Sequence, residues 1–283
     1  PHRRCESVII CMMDAVLIAG GRAPASLTVV AGHAVKGLMQ FEGETLILRV
    51  LNALQRGGVE RIAVVGSELL LHALKPQGIE ILFTAEGEDP VDNLLRGVER
   101  LGLSSESQFL HCAVDLPMLT GAAICEFLRA APPEADVVMG WTPEAEFRRM
   151  FPGAPYTALQ FAEGRFLSPS VSVLRVRFLE AQAPLLRRLA RVRKSAGRVA
   201  LMLTRAFHYH LMMTGAPLAA RFLTGRLALS SLPPLAERLL QARLHFNLNA
   251  APELAYDVDT EEDYRYAQAW LRAHSGYTFS PKV

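Results

Sequence analysis

Gly20-Gly21 ends an apolar run over 14–19, and after fourteen further residues the chain reaches Lys36. A strand that stops at two glycines lets backbone approach a bulky anion, because no Cβ blocks the way and positive φ is tolerated. A nearby lysine then supplies charge for phosphate, although a solvated loop lysine is the plain alternative. Asp115 closes a second apolar run, QFLHCAVDL at 108–116. A carboxylate ending a buried strand is costly unless it is paired or binds metal; capping the helix near Thr120 is its other use. Asp257 and Asp259 lie two apart, which in a regular strand places both on one face.

The elements that must position these residues alternate strand and helix. Helical spacing of Leu46, Ile47, Val50, Leu51 and Leu54 predicts a helix over 45–56, stopped by Gly57-Gly58. Strands are expected at 61–65, 80–83, 108–116 and 136–141, and helices at 67–74, 91–101 and 120–129. The segment 22–35 reads as a long loop, 38–41 as extended. Such alternation implies a mostly parallel α/β sheet with helices on both faces, whose ligands bind beyond the carboxyl ends of the strands. Gly20-Gly21, Gly66 and Asp115 all lie at such ends and can share one crevice.

The second half changes character. Strands are expected at 156–161 and 166–176, a mostly helical stretch at 184–240, a strand at 244–249, and a closing helix at 261–273 with Thr260 as N-cap and Asp263 in its first turn. One domain over 14–273 with a basic helical insertion at about 184–240 is therefore expected, with 1–13 an N-terminal extension and 274–283 a tail; a natural start at Met12 or Met13 would place 1–11 outside the fold.

Four motifs in order, Leu17-Ile18-Ala19-Gly20-Gly21, Lys36-Gly37-Leu38-Met39-Gln40-Phe41-Glu42-Gly43, Val114-Asp115-Leu116-Pro117 and Asp257-Val258-Asp259-Thr260-Glu261-Glu262-Asp263, resemble the MobA-like nucleotidyltransferases. The resemblance covers 14–150 plus 244–273 and implies a GT-A/Rossmann-like fold. It also implies nucleotidyl transfer from an NTP to a small phosphorylated acceptor, with pyrophosphate released. By similarity Gly20 and Gly21 contact the nucleotide through main chain, Lys36 contacts phosphate, Asn93 contacts the nucleoside, and Asp115 holds Mg²⁺. An aspartate of the Asp257 and Asp259 pair completes the coordination, with Asp259 expected to reach the metal. Magnesium prefers octahedral oxygen ligation with one or two carboxylates plus phosphate oxygens, which this set can provide. Relatives usually carry Gly-x-Arg after the glycine pair; here the loop begins Arg22-Ala23-Pro24, and Arg22 is the candidate substitute.

That departure keeps a catalytically impaired nucleotide-binding or interaction protein of the same fold as the alternative. A GT-A glycosyltransferase is less favoured, because the Asp-x-Asp occurs only at 257–259. A dinucleotide oxidoreductase is less favoured because no third spaced glycine follows Gly20-Gly21.

Composition agrees with a cytoplasmic globular protein: of 283 residues 51% are hydrophobic and 20% charged, and no apolar run reaches the roughly 18 needed to span a bilayer. The four cysteines show no metal spacing and read as reduced structural thiols. The net charge of +2 conceals a segment, 175–226, with eleven basic residues against Glu180 alone. A solvated basic face over an apolar stripe is the leading reading, then recognition of an anionic acceptor, and last a membrane surface. Few interleaved aromatics argue against nucleic acid. His208 and His210 diverge around a helix and read as structural.

Overall fold

A computed structural model describes residues 13–74, 78–168, 170–192, 220, 221 and 224–274. Seven strands form the main sheet: β1 (Met13–Ile18), β4 (Val59–Gly66), β5 (Glu80–Ala85), β6 (Gln108–Ala113), β7 (Val137–Gly140), β11 (Val171–Arg175) and β12 (Leu244–Asn247). Their order is β12-β7-β11-β6-β1-β4-β5. All neighbours are parallel except around β11, which runs antiparallel to both β6 and β7. Two smaller sheets join β2 (Gln40–Phe41) to β3 (Glu44–Thr45), and β8 (Thr142–Pro143) to β10 (Gly164–Leu167) and β9 (Ala158–Phe161). The mostly parallel α/β expectation is met.

Alternation in β1 decides which side chain enters which core. Ala15 and Leu17 point into one cluster and Val16 into the other, all fully buried. The first cluster lies beneath α2 (Leu46–Arg56) and α4 (Gly121–Arg129), with the closing helix α8 (Glu261–Ala273) adding Trp270 and Leu271. All five apolar positions expected of α2 are fully buried. The second cluster lies beneath α3 (Pro90–Leu101) and α6 (Val176–Val192). Among the described residues no helix is long and apolar enough to cross a membrane.

Several expected boundaries move for local reasons. The segment read as a loop contains α1 (Ala25–Ala31), whose β-branched residues Thr28 and Val29-Val30 hide a helical period; Gly32, at φ 75°, ends it in the left-handed cap. The helix expected over 67–74 reduces to one 3-10 turn, Glu68–Leu70, capped by Ser67. A short helix, α5 (Glu144–Met150), has no counterpart among the expectations and packs Phe147 and Phe151 against Tyr256. The strand expected over 166–176 is two strands in different sheets: β10 pairs with β8 and β9, whereas β11 pairs with β6 and β7.

Helix α6 starts eight residues before Pro184 and continues through it. Burial of Val176, Leu179 and Ala183 offsets the backbone bond that proline forfeits. Helix α7 (Leu232–Leu240) follows later in the chain. Residues 193–219, including His208 and His210, lie outside the described residues, as do Cys5 and Cys11; Cys112 is a buried thiol in β6.

The start of the basic segment is an internal ion network. Asp136 is buried, accepts from Arg177 Nε at 3.2 Å and Nη2 at 2.9 Å and from the Arg243 N–H at 2.9 Å, and lies 3.1 Å from Arg175 Nε. Burial alone would raise its carboxyl; the Arg243 N–H and the Arg177 and Arg175 guanidinium groups reverse that and hold it below the usual range. Arg175 also donates to the carbonyls of Glu106 and Pro133. Asp136→Ala takes the nearer and more buried of two carboxylates from the Arg175 guanidinium, leaving Glu106 at 3.9 Å, and is expected to destabilise by about 3 kcal/mol. Urea unfolding checks this as a lower midpoint at unchanged slope.

Candidate active site

The chain runs outward from β1 to β4 to β5 and then returns to the other side of β1 as β6. Connections that leave in opposite directions open a crevice beyond the carboxyl ends of β1 and β6. Gly20 and Gly21 leave β1 on one side of it. Opposite them the Val114 N–H donates to the Ile18 carbonyl at 3.0 Å, and Asp115 follows. The Asp115 carbonyl accepts the Val258 N–H at 3.0 Å, which docks 257–259 on the end of β6 although the two segments are far apart in sequence.

Lys36 reaches this junction because its loop closes on itself. Arg22 and Val35 form an antiparallel bridge, Ala23 N–H donates to Ala34 O at 2.8 Å, and Lys36 N–H donates to Gly21 O at 3.0 Å. The aliphatic stem of Lys36 lies over Gly21, where an added Cβ would stand 3.4 Å from its Cδ. Its ammonium is buried and donates to Asp115 Oδ2 at 2.8 Å and to Asp259 Oδ1. Burial works against that charge, and the Asp115 carboxylate, with Asp259 behind it, outweighs burial and holds the amine above its ordinary value.

Asp259 is set by the start of α8. Thr260 and Asp263 form a reciprocal capping box, and Asp263 Oδ2 also accepts the Asp259 N–H at 3.1 Å. The expected cap is therefore also the support of a site residue. The segment 257–259 is irregular, and Asp257 and Asp259 differ accordingly: Asp259 meets Lys36, whereas Asp257 stands beside the pair. Burial at the crevice wall, then like charge on Asp115 and Asp259, push the Asp257 carboxyl up to about 6. Its residue still reaches solvent, so it can exchange protons.

Asp115 does not cap the following helix; Thr120 does, accepting the Ala123 N–H at 3.2 Å. Asn93 is turned into its own loop, where Oδ1 accepts the Gly87 N–H at 2.6 Å. Arg22 Nη2 donates to Glu86 Oε1 at 3.1 Å. Glu86 is a crevice residue absent from the sequence expectations, although it directly follows β5 just as Gly66 closes the neighbouring β4, and that placement is the signal that could have found it. Just beyond β12, the Asn249 N–H donates to Asn247 Oδ1 at 3.0 Å.

A family model described as the MobA-like NTP transferase domain matches residues 15–228, most of the chain. The chain belongs to that family. The match extends past Met150, where the four motifs suggested the resemblance would pause, and stops before 257–259. Three solved structures share the architecture of this MobA-like transferase domain. A hypothetical transferase from Thermus thermophilus has TM-score 0.71 and 24% identity, covering 89% of this chain and 99% of its own. A nucleotidyl transferase from Methanothermobacter thermautotrophicus has TM-score 0.52 and 18% identity, covering 93% and 99%. A CMP:2-keto-3-deoxy-manno-octonic acid synthetase solved with CTP has TM-score 0.57 and 15% identity, again covering 93% and 99%. At these identities the likeness establishes the fold. No curated protein sequence matches the chain.

One further ionisable group lies in the central sheet. His111 on β6 sits 3.1 Å through Nδ1 from Ser172 Oγ on the neighbouring β11, and burial pushes its imidazole down to about 4. An unfolded histidine takes up a proton near pH 6.5. The unfolded state therefore binds more protons between pH 6.5 and 4, so stability is complete above pH 6.5 and falls as the pH drops to about 4, by at most about 3 kcal/mol. His111→Gln is expected to flatten that acid limb in unfolding measured across the same range.

Proposed function

We propose that this MobA-like transferase joins the nucleotidyl group of an NTP to a small phosphorylated acceptor and releases pyrophosphate. The observation that carries the proposal is the convergence of Lys36, Asp115 and Asp259 beside Gly20-Gly21 at the switch point of the sheet. An acceptor phosphate oxygen attacks the α-phosphorus, the new P–O bond forms as the α–β bridging P–O bond breaks, and the electron pair leaves with pyrophosphate. The acceptor is already ionised, so no side chain need remove a proton.

Charge neutralisation is the demand that remains. Lys36 is held protonated by its two carboxylates and is placed to offset charge on the α-phosphate. The Gly20-Gly21 backbone admits the phosphates closely, and Arg22, next in the chain, adds a second cation at the same rim.

Among the described residues no three His, Cys, Asp or Glu side chains are arranged as a metal cage. Two carboxylates nevertheless converge on one cation, the Lys36 ammonium, and a hard divalent ion bound through phosphate needs only one or two carboxylates from protein. The donor set therefore fits Mg²⁺, with Asp115 and Asp259 as its holders and Asp257 alongside; when bound, the ion would lower the charge on the reacting phosphates.

Thermal-shift measurements with CTP, GTP, UTP and ATP, with and without Mg²⁺, test the reading. CTP comes first because one structural relative was solved with it. Metal-dependent stabilisation by one NTP is expected, reaching roughly 3 kcal/mol at a hundredfold excess over Kd. Pyrophosphate release with a panel of sugar, polyol and cofactor phosphates then identifies the acceptor. Stabilisation without any release favours a nucleotide-binding protein that has lost turnover; no stabilisation by any NTP removes both readings.

A further inference from the structure

Glu86 is a charged side chain of the crevice that the proposed reaction does not use. It is delivered from a fixed loop: its own N–H donates to Gly66 O at 3.1 Å, and the next N–H, of Gly87, is held by Asn93. Its carboxylate folds over the glycine pair, so that a Cβ added to Gly20 would stand 2.1 Å from Oε2. Its other oxygen, Oε1, accepts from Arg22. An internal anion thus rests on the open backbone and beside the cation that together suit this corner to phosphate.

We infer that Glu86 is a specificity-determining residue, an internal anion that incoming phosphates must displace from Gly20 and Arg22. The inference rests on the nucleotide reading above. The ion pair is partly exposed, with side-chain accessibilities of 53% for Arg22 and 33% for Glu86, and pairs of that kind contribute little. A polyphosphate brings more charge than the carboxylate and can take its place. A monophosphate brings little more, and meets a carboxylate tethered at the same seat. The seat therefore selects for the charge density of a diphosphate or triphosphate by repelling weaker anions.

The test compares wild type, Glu86→Gln, Glu86→Ala, Arg22→Ala and the Arg22→Ala/Glu86→Gln double variant. Calorimetric titrations use inorganic tripolyphosphate, pyrophosphate and orthophosphate, and the four NTPs, all with Mg²⁺. Glu86→Gln is expected to bind tripolyphosphate roughly three- to tenfold tighter and orthophosphate proportionally tighter still, with the gain shrinking at high salt. The gain should be smaller in the Arg22→Ala background, because the freed arginine is part of what Glu86 withholds. Glu86→Ala should reproduce the gain, and unfolding of each variant confirms an intact fold. If wild type binds tripolyphosphate and NTP but Glu86→Gln binds them equally or more weakly, this inference is overturned and the nucleotide reading stands. If wild type binds none of the probes, both fall together.

Discussion

Asp115→Asn is expected to lower kcat for nucleotidyl transfer by about a thousandfold. The substitution keeps the size of the side chain, removes its charge and turns one of its two acceptor oxygens into an amide donor. That charge has two proposed uses at one oxygen pair: it holds the Lys36 ammonium, which it meets at 2.8 Å, and it is the better buried of the two carboxylates that would hold the metal. The fold should survive, because Asp259 still accepts from Lys36 and because the Asp115 carbonyl, which docks Val258, is untouched. Steady-state kinetics across a magnesium titration are the check. A loss concentrated in kcat, with the metal dependence displaced to higher concentration, fits the assignment; activity within tenfold of wild type at ordinary magnesium removes Asp115 from the reaction.

The second large effect is expected at Lys36. Lys36→Met keeps the stem that lies over Gly21 and deletes the charge, and kcat/KM should fall by roughly two to three orders of magnitude. Arginine should not restore it, since a planar guanidinium cannot occupy the place of a compact buried ammonium between two carboxylates. The same substitution leaves Asp115, Asp257 and Asp259 facing one another without a cation. Stability at neutral pH should therefore drop, and recover in Asp115→Asn/Lys36→Met, where one of the repelling charges is gone. That non-additivity is what contact between the two side chains predicts, and additive losses in denaturant unfolding would contradict it.

The parallel core was legible in the sequence because its signals are periodic and local. Leu46 to Leu54 repeat at helical spacing, RIAVV reads as a buried strand, and the order of elements implies the crevice. Lys36, Asp115 and Asp259 were legible through their places in ordered motifs, and the structure brings all three together. Asn93 shows the limit of that inference: its position at the head of α3 is as expected, yet its side chain serves the Gly87 backbone. What remained hidden depends on tertiary pairing. Nothing near Glu86 in the chain announces Arg22, sixty-four residues earlier. Arg175 and Arg177 look like part of a solvated basic face until β7 places Asp136 beside them. Helix α1 was obscured for a different reason, since β-branched residues in its middle speak for a strand, and tertiary context with a glycine cap overrides them.

The bridge between Arg22 and Val35 makes the intervening stretch a cassette. Its two ends are stapled together at the rim of the crevice, so the spacing between glycine pair and lysine in the chain is decoupled from their spacing in the molecule. Lengthening, shortening or exchanging the helical lobe leaves the aim of Lys36 unaltered as long as the staple holds. The lobe is thus a position at which evolution, or an engineer, can reshape the rim of the crevice without moving the residues beneath it.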